Sequence, residues 1–598
     1  MSAVELAPEL VHAMAPAAQG VAGDSASPEA IRKLSRQLAS PKLAVKTQRK
    51  ALEKLKAALM AIRAGDFGLG ARRALDALKL DETNGLGWHV LAICREKSGD
   101  LGQALMAYEA ALKLLPNETD VAHDLGRLAQ QIGYLDIAEK LLLKYLAADP
   151  GHVEATNNLA CVQRDQKRYG DAVETLRALL GVEPDSPVLW NTLGTVLSDQ
   201  GDMRTALTFF EEALRHDPGF SKARYNRANA RQPLGDPLGA LEDMDAALPG
   251  AESPYEKAMM TMARALLLMT LGRIPEGFEA YEARLDPHLP EAMRVAVDAP
   301  RWDGGADALA GRRLLIVGEQ GIADEMVFGS CIGDAIAAVG PEGKVFVAVE
   351  PRLVGLFQRA FPSAVVGGHR AVKLEGRITR YIPFLEDIPD GGGVVDGWIP
   401  MASMLALFRP SIQSFPDRRG YLPAEPARVA HWKAELDKLG PGLKVGLHWK
   451  SLVLTGSRAR YFSSFERWRP VLETPGAVMV NLQCGDVTDD LAAAAAAGVS
   501  IWSPPINLKD DLEDVAALSV ALDIVIGPGI AGTNLAAAVG ATAWMITAPD
   551  DWHFLATDRY PFYPHLRHFR RDDFDAWEGA IARVREALDV AVADGNAG

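Results

Sequence analysis

The chain has 598 residues, 48% of them hydrophobic, and a formal net charge of -15 at pH 7. That much apolar sequence can fill several buried cores, so the composition indicates a globular protein with more than one domain. The acidic balance, without a basic block to oppose phosphates, argues against a general nucleic-acid or membrane-surface binder. Its four cysteines are far apart and form no metal or redox motif, which favours reduced core thiols and a cytoplasmic location.

The N-terminal segment differs from the rest of the chain. The first 28 residues are rich in Ala and Pro, with neither a basic start nor an apolar run long enough for export. We expect a disordered arm there, followed by a lead-in helix, so that residues 1–50 precede the first repeat. No window of the whole sequence approaches the length of apolar residues that a membrane span requires.

A repeat with a 34-residue step occupies most of the first half. In the unit at 85–118 the residues at fixed positions are Trp88, Leu91, Ala92, Gly99, Ala104, Tyr108, Ala111 and Pro116. Three further units keep this register, and weaker copies at 51–84, 221–254 and 255–284 bring the total to seven. Small residues let two helices approach, large ones fill the gap between units, and the proline ends the second helix. The pattern predicts a tetratricopeptide solenoid over 51–290.

Amide side chains recur on the first helices of these units. The sixth position of successive units holds Asn158, Thr192 and Asn226, and Asn191 lies one place before Thr192. First helices line the concave face of such a solenoid, where amides can pair with the backbone of an extended peptide. We therefore predict that Asn158, Asn191 and Asn226 bind a protein acceptor, with polar filling of a solvated helix face as the alternative.

The second half alternates short apolar runs with helical segments. The predicted strands are 314–317, 344–349, 444–449, 478–483, 501–502, 524–527 and 543–546. Two such series, at 300–435 and 441–592, predict two doubly wound, Rossmann-like domains with ligands bound at the carboxyl ends of the strands. The predicted fold class is thus an all-α repeat solenoid followed by an α/β region.

The loop after the run at 524–527 has the strongest chemical signal. It carries Gly527, Gly529 and Gly532 and then Thr533 and Asn534, where a helix begins. Glycines allow close approach of a ligand to the backbone, and a helix N-terminus attracts an anion. A phosphate or diphosphate is the natural guest, although a plain strand-to-helix turn is the alternative.

Other polar residues are expected at the same edge. Lys450 follows the first strand of the second series, Arg460 comes shortly after it, Gln483 ends the next strand, and Trp552 follows the last. The cations can neutralise phosphate charge. Each of these residues, taken alone, is also compatible with an ordinary surface or core position.

The order of these features resembles that of bacterial tetratricopeptide glycosyltransferases, which are related to the O-GlcNAc transferase group and have a GT-B catalytic fold. The resemblance covers roughly residues 51–590 and rests on 277–284, Trp302, 319–324, 446–449, 482–483, 527–537, 551–552, 561–564 and 569–570. More narrowly, the chain is similar to alphaproteobacterial flagellin glycosyltransferases, which add a nonulosonic sugar such as pseudaminic acid to serines and threonines.

This resemblance implies a metal-independent enzyme with no cofactor, in which a nucleotide sugar, CMP-linked for a nonulosonic acid, is the donor and flagellin the acceptor. Donor binding falls on Lys450, Arg460, Gln483, Trp552 and the glycine loop. On the loop that follows the predicted strand at 314–317, called the first loop here, we nominate Asp324 as the base for the acceptor hydroxyl, with Glu319 second. The alternative for Asp324 is a helix cap.

Two departures from the family pattern bear on this expectation. Ala323 replaces a glycine of the first loop, and Gly529 and Asn534 stand where many relatives have an aspartate and a histidine. Four functions therefore remain open: a nonulosonic acid transferase, a UDP-GlcNAc-type protein transferase, a transferase acting on a glycan or lipid precursor, and a scaffold or chaperone without activity.

Overall fold

The computed structural model describes residues 46–374, 377–389, 392–452, 461–574 and 576–595. Packing divides the chain into two compact units, Met1–Gly219 and Phe220–Gly598. Residues 1–45, which include the predicted arm, and Arg460 lie outside the described residues. No helix among the described residues is long and apolar enough to cross a membrane.

The first unit consists of helices that pack in consecutive pairs. They are α1 (Lys46–Arg63), α2 (Phe67–Leu78), α3 (Gly85–Lys97), α4 (Leu101–Leu114), α5 (Thr119–Gln131), α6 (Leu135–Ala148), α7 (Val153–Asp165), α8 (Tyr169–Leu180), α9 (Pro187–Gln200) and α10 (Met203–His216). The predicted tetratricopeptide repeats are confirmed here. The small residues have the expected role, because a Cβ added at Gly194 would lie 2.6 Å from the Phe210 ring.

The turn inside several of these pairs, among them α3–α4 and α9–α10, follows from a Gly-Asp sequence. Gly99 and Gly201 end their helices at φ values of +79° and +105°, which L side chains rarely adopt. The aspartates that follow, Asp100 and Asp202, then accept a hydrogen bond from a backbone N–H in the first turn of the next helix. These two residues therefore fix where one helix stops and the next begins.

The second unit begins with four helices that continue the repeat. They are α11 (Ser221–Arg231), α12 (Pro237–Ala247), α13 (Pro254–Thr270) and α14 (Ile274–Tyr281). Pro233 and Pro237 fit the ends of two of these helices, because α11 stops at Arg231 and Pro237 is the first residue of α12. The packing boundary at Gly219 differs from the predicted solenoid end at 290, because side chains of α13 and α14 pack against the sheet region.

Two parallel sheets form the rest of the second unit. The first has the order β4-β3-β2-β7, and the second β10-β9-β8-β11-β12-β13. Their strands are β2 (Arg313–Val317), β3 (Lys344–Val349), β4 (Val365–Gly368), β7 (Gly397–Pro400), β8 (Leu443–Leu447), β9 (Ala477–Asn481), β10 (Ile501–Trp502), β11 (Ile524–Pro528), β12 (Ala543–Thr547) and β13 (Arg567–Arg570). In both sheets the order reverses beside the first strand, as in doubly wound folds. The predicted strand-helix region with parallel sheets is thus confirmed.

A small additional sheet was not predicted. It has the order β1-β6-β5, from β1 (Arg294–Ala296), β5 (Arg370–Leu374) and β6 (Arg377–Tyr381). The helices around the sheets are α15 (Ile322–Phe328), α16 (Ile332–Val339), α17 (Val354–Ala360), α18 (Met404–Phe408), α19 (Pro426–Asp437), α20 (Arg469–Leu472), α21 (Thr488–Ala496), α22 (Leu512–Ala521), α23 (Ala531–Ala538) and α24 (Trp577–Asp594). Helix α15 of the first sheet packs against α23 of the second, and this contact brings two strand-end loops together.

Candidate functional site

The candidate site lies where the strand order of each sheet reverses. In the first sheet this point is between β2 and β7, and in the second it is between β8 and β11. Ligands of doubly wound sheets bind at such points, outside the carboxyl ends of the strands. The loops concerned are 318–324 after β2 and 527–534 at the end of β11, and each leads directly into one of the packed helices, α15 or α23.

Glu319 on the first loop is a buried ion-pair partner. Its two carboxylate oxygens accept hydrogen bonds from Nε and Nη2 of Arg284, each at 2.8 Å, and Oε1 also accepts from the backbone N–H of Ala402 at 2.8 Å. Arg284 donates further to the Ser403 hydroxyl. A carboxylate with both oxygens engaged is held in place, so its contacts favour a positioning role over that of a base.

Gln320 adopts a left-handed conformation with φ of +60°. Such a conformation is costly for a residue other than glycine and needs support from its surroundings. That support comes from Tyr281, whose hydroxyl hydrogen-bonds the Gln320 side chain at 3.0 Å, and from Arg380, which donates to the carbonyl oxygens of Gly318 and Gln320. The loop is therefore fixed from two sides.

Asp324 lies in the first turn of α15 and is half-buried. Its Oδ2 accepts a hydrogen bond from the Gly321 N–H at 3.0 Å, so the capping contact is present. Burial raises the pKa of Asp324, although this hydrogen bond and the nearby His553 oppose the shift. A raised pKa suits proton transfer. The base role of Asp324 stays a prediction.

The glycines of the second loop make room for a histidine. The His448 ring, which follows β8, occupies the space where a Cβ on Gly532 would lie, and a Cβ on Gly527 would be 2.7 Å from the His448 Cβ. Gly529 is different, because its nearest neighbour would be the Met545 sulfur at 3.6 Å. Close approach of a ligand was predicted at Gly532, yet packing against His448 already explains that glycine.

Buried polar atoms without partners collect at this loop. Nε2 of His448, Oγ1 of Thr533 and Oδ1 of Asn534 are enclosed and make no hydrogen bond with the described residues. Burial lowers the pKa of His448 to about 4, so the ring is neutral at pH 7. Unsatisfied buried polar atoms are rare in proteins and call for a missing partner. Thr533 lies in the first turn of α23, where backbone N–H groups are also available to an acceptor.

The predicted donor contacts of Asn534, Gln483 and Lys450 have partners within the protein. Asn534 Nδ2 donates to the Ile530 carbonyl at 2.9 Å, so it has one hydrogen left for a ligand. Gln483 Oε1 accepts from the backbone N–H groups of Trp449 and Lys450 at 3.0 and 2.9 Å, and its Nε2 donates to the Cys484 carbonyl. The Lys450 ammonium pairs with Asp490 at 2.6 Å. A phosphate must therefore compete with Asp490 for this cation.

The loop after β12 contributes an aromatic stack and a histidine. The Trp552 ring stacks on His553 with 3.9 Å between centroids and lies 6.0 Å from the Tyr281 ring. His553 Nδ1 is 2.6 Å from Asp551 Oδ1. Trp552 thus lies between the last repeat helix and the second sheet, and its role in donor binding stays a prediction. Within the described ranges, no group of His, Cys, Asp or Glu side chains is arranged to hold a metal ion.

The three residues predicted to bind the protein acceptor do not all lie in the same compact unit. Asn158 on α7 and Asn191 on α9 belong to the first unit, and Asn226 on α11 belongs to the second. Asn158 is half-buried, and its Nδ2 lies 3.4 Å from His123 Nε2, one repeat earlier. Its amide is thus part of a contact between repeats, and its role in acceptor binding stays a prediction.

Comparison with known proteins identifies the family. The tetratricopeptide repeat model matches residues 123–187 and 191–257. Protein FlbA of Caulobacter vibrioides is 46% identical over 568 residues, which cover 95% of this chain and 94% of that protein. The chain belongs to the FlbA family. Human tetratricopeptide repeat protein 7B is 31% identical over 116 residues, covering 19% of this chain and 14% of that protein. A tetratricopeptide repeat protein from Parabacteroides merdae, solved as a crystal structure, has a TM-score of 0.35 at 16% identity and covers 39% of this chain and 91% of that one.

The likeness to FlbA is long enough to include both compact units. By contrast, the human relative matches a segment no longer than a few repeats. The sequence shared with FlbA thus spans both the repeat helices and the region of parallel sheets.

Sequence reasoning missed three residues of the site in this FlbA-family chain: Arg284, His448 and His553. Arg284 was visible only as the end of a repeat, His448 as one letter of a strand, and His553 as the neighbour of Trp552. A signal did exist for His553, because Asp551 stands two residues before it, a spacing that allows a side-chain hydrogen bond.

Proposed function

We propose that this FlbA-family protein is a protein O-glycosyltransferase of GT-B type that works in the cytoplasm. In this proposal it moves a nonulosonic acid such as pseudaminic acid from its CMP donor onto serines and threonines of flagellin. The supporting observation is the pair of parallel sheets in one compact unit, whose reversal-point loops 318–324 and 527–534 come together through α15 and α23. Two facing nucleotide-binding-type sheets suit a donor and an acceptor that meet between them.

The second sheet is the proposed donor side. The first turn of α23 offers backbone N–H groups, and the enclosed atoms of His448 and Thr533 have no hydrogen-bond partner among the described residues, so a bound ligand can supply one. Such donors stabilise the phosphate as charge develops on it, without a metal. Lys450 joins when a phosphate displaces Asp490, and Arg460 is the further predicted cation.

The repeats are the proposed acceptor side. Solenoids of this kind bind extended protein segments along their first helices, and a protein acceptor gives both parts of the chain a task. Asn158, Asn191 and Asn226 are the candidate contacts. The hydroxyl to be modified is presented from the side of the first sheet, next to Asp324.

The test combines binding and transfer. Calorimetry with CMP and UDP should show binding of CMP, and intact-mass spectrometry of flagellin co-expressed with the protein and the donor pathway should show added nonulosonic acid. Lys450→Ala should weaken CMP binding, and Asp490→Asn, which frees the same ammonium, should strengthen it. An added N-acetylhexosamine with UDP binding would instead indicate a UDP-GlcNAc-type transferase, and modification of a glycan or lipid alone would indicate a precursor transferase.

A scaffold or chaperone without transfer activity is the second candidate. The observation that favours it is the Lys450–Asp490 pair, which occupies a cation that the donor phosphate would need. This function predicts flagellin binding with no nucleotide affinity and no mass change in the acceptor.

A further inference from the structure

His553 combines a fixed ring with a free nitrogen. Its Nδ1 is 2.6 Å from Asp551 Oδ1, and its ring stacks with those of Trp552 and Tyr560 at interplanar angles of 22° and 16°. Nε2 makes no hydrogen bond with the described residues and is not enclosed by them. With Asp551 accepting the Nδ1 proton, the opposite nitrogen carries the lone pair.

The chain contains a second histidine with the same local geometry. His288 Nδ1 is 2.7 Å from Asp286 Oδ1, and the backbone N–H of His288 also donates to that oxygen, as the N–H of His553 does to Asp551. The side chain of His288 is 54% exposed, against 22% for His553. Turn geometry alone therefore does not distinguish the two. Their surroundings do, because the His553 ring contacts Trp552, Tyr560 and Phe562. Trp552 in turn lies against Tyr281, which hydrogen-bonds Gln320 of loop 318–324.

Two further charged groups act on the Asp551–His553 pair. They are Asp324 at the start of α15 and Arg570 at the end of β13, and the nearby neutral titratable groups are the Tyr560 hydroxyl and the His568 imidazole. Burial by itself would raise the pKa of Asp551, but the charge and hydrogen bond of His553 outweigh it and hold that pKa below its usual value. Asp551 is thus an anion at pH 7. Two carboxyl groups are placed to stabilise an imidazolium.

We propose that His553, oriented by Asp551, is the residue that accepts the proton of the acceptor hydroxyl, and this inference rests on the glycosyl transfer proposed above. As the hydroxyl oxygen forms its bond to the anomeric carbon, the bond from that carbon to the donor phosphate oxygen breaks. The phosphate leaves with the electron pair, and the proton moves from oxygen to Nε2 of His553. Asp551 orients the ring, and Asp324 acts on the imidazolium through its charge.

The experiment compares His553→Gln with His288→Gln in the full-length protein, using transfer of sugar to flagellin from the donor that the parent uses. His553→Gln should lower kcat about a hundredfold, the usual share of a general base, with KM and CMP affinity unchanged. His288→Gln should match the parent. Asp551→Asn should lower kcat about tenfold or more, because the neutral amide no longer stabilises the imidazolium.

The pH–rate profile gives the second readout. Transfer by the parent should fall at low pH, because general-base catalysis needs the unprotonated form of the base, and the residual transfer of His553→Gln should lack that fall. If His553→Gln keeps the acid fall and Asp324→Asn removes it, the base is Asp324 and the proposal is wrong. The proposal would also be overturned if His553→Gln transferred sugar at the rate of the parent.

Chemical modification guards against a variant that fails to fold. Diethylpyrocarbonate reacts with unprotonated imidazole nitrogens, so transfer by the parent should be lost in step with modification of His553, as mapped by peptide mass spectrometry. The assignment would be contradicted if loss of transfer followed the modification of another histidine. It would also be contradicted if transfer were retained when His553 is modified. A parent that transfers no sugar from any nucleotide donor overturns the proposed function, and the role of His553 with it.

Discussion

Arg284 shows how one side chain supports a loop of the site. It is buried, and its guanidinium donates to Glu319, Glu282, Ser403 and the Tyr281 carbonyl. Removing one partner of a buried ion pair leaves the other charge without compensation. Loss of Arg284 should therefore weaken the packing of loop 318–324, and the resulting loss of stability can be measured.

We expect Arg284→Met to destabilise the second unit by about 3 to 5 kcal/mol, because Glu319 stays buried without its cation. The double variant with Glu319→Met should recover much of that loss, since neither charge remains. Asp334→Asn is the matched control, because Asp334 is the half-exposed partner of the buried Arg409 and should cost less. Chemical denaturation, followed by a probe in the second unit, measures all three. Equal losses in the single and double variants would contradict this account.

His448 makes the second unit sensitive to acid. Burial lowers its pKa from 6.5 to about 4, so between these values the unfolded chain binds a proton that the folded chain does not. Stability should therefore fall as pH drops from about 6.5 to about 4, by about 3 kcal/mol in total for this one group.

The test is thermal unfolding of parent and His448→Asn at several pH values. The variant should lose the part of the pH dependence in that window, even though the change lowers stability at pH 7. His288→Gln, at an exposed position, should leave the pH dependence as it is. A parallel pH dependence in parent and His448→Asn would show that other groups cause it.

For single residues, the sequence predicted a position in the fold where the residue type and the preceding apolar run were sufficient to indicate it. Lys450, Trp552 and the glycine loop are found at strand ends, as expected from the apolar runs that precede them. The partners Asp490, Arg284 and His448 were not predictable, because their contacts join positions far apart in the chain and depend on the packing of whole elements. For the same reason, the sequence assigned Gly532 to ligand binding, whereas the structure shows that the His448 ring occupies the space beside it.

At the scale of elements, the segment from β11 into α23 illustrates two different needs for glycine. Gly532 faces the His448 ring, whereas a Cβ on Gly529 would make only an ordinary contact with the Met545 sulfur at 3.6 Å. Neither has a left-handed backbone, so an alanine is acceptable to the main chain at both positions.

We expect Gly532→Ala to destabilise the protein by about 1 to 3 kcal/mol, the usual cost of overpacking, and a combined His448→Ala change to relieve much of it. Gly529→Ala should fold like the parent and weaken CMP binding, if the ligand approaches this part of the loop. Thermal unfolding and calorimetry with CMP separate the two effects. Destabilisation of similar size in both variants would show that space, and not a ligand, accounts for Gly529 as well.

Two features of the elements depend on packing or on weak sequence signals. The segment 324–338 is long enough for one helix, but the chain forms α15 and α16 with a short 3-10 turn at Gly329–Cys331 between them. A Cβ at Gly329 would lie 2.7 Å from the Phe357 ring, so tertiary packing sets the break. The sheet β1-β6-β5 was missed because its strands are short and carry several arginines, without an apolar run.

At the scale of the whole molecule, the boundary between the two units falls inside the repeat pattern. Helices α11–α14 look like further repeats in sequence, yet they belong to the unit that contains the sheets. Tyr281 and Arg284 account for this, because they bond to Gln320 and Glu319. The 34-residue step predicts how many helix pairs there are, but it contains no information on what the outer faces of the last pairs contact.

We expect a chain that starts at Phe220 to fold and bind CMP like the full-length protein, because it keeps the whole second unit. A chain that starts at residue 300 should lose CMP affinity and stability, since Arg284 and Tyr281 no longer hold loop 318–324. Circular dichroism, thermal unfolding and calorimetry on the two truncated proteins provide the comparison. Equal behaviour of the two would show that the last repeat helices are dispensable for the site.

Under the proposed function, the boundary at Gly219 bears on how the choice of protein acceptor can be changed. Residues 220–285 pack with the sheets and should stay with them, whereas the helices before Gly219 should be exchangeable. Hybrids of FlbA-family proteins should accordingly be joined at Gly219, within the repeats, and a join at the visible end of the repeat pattern would separate Arg284 from the glutamate it holds. Helices α11–α14 are then the constant part of the repeat region, and the helices of the first unit are the part that can be exchanged.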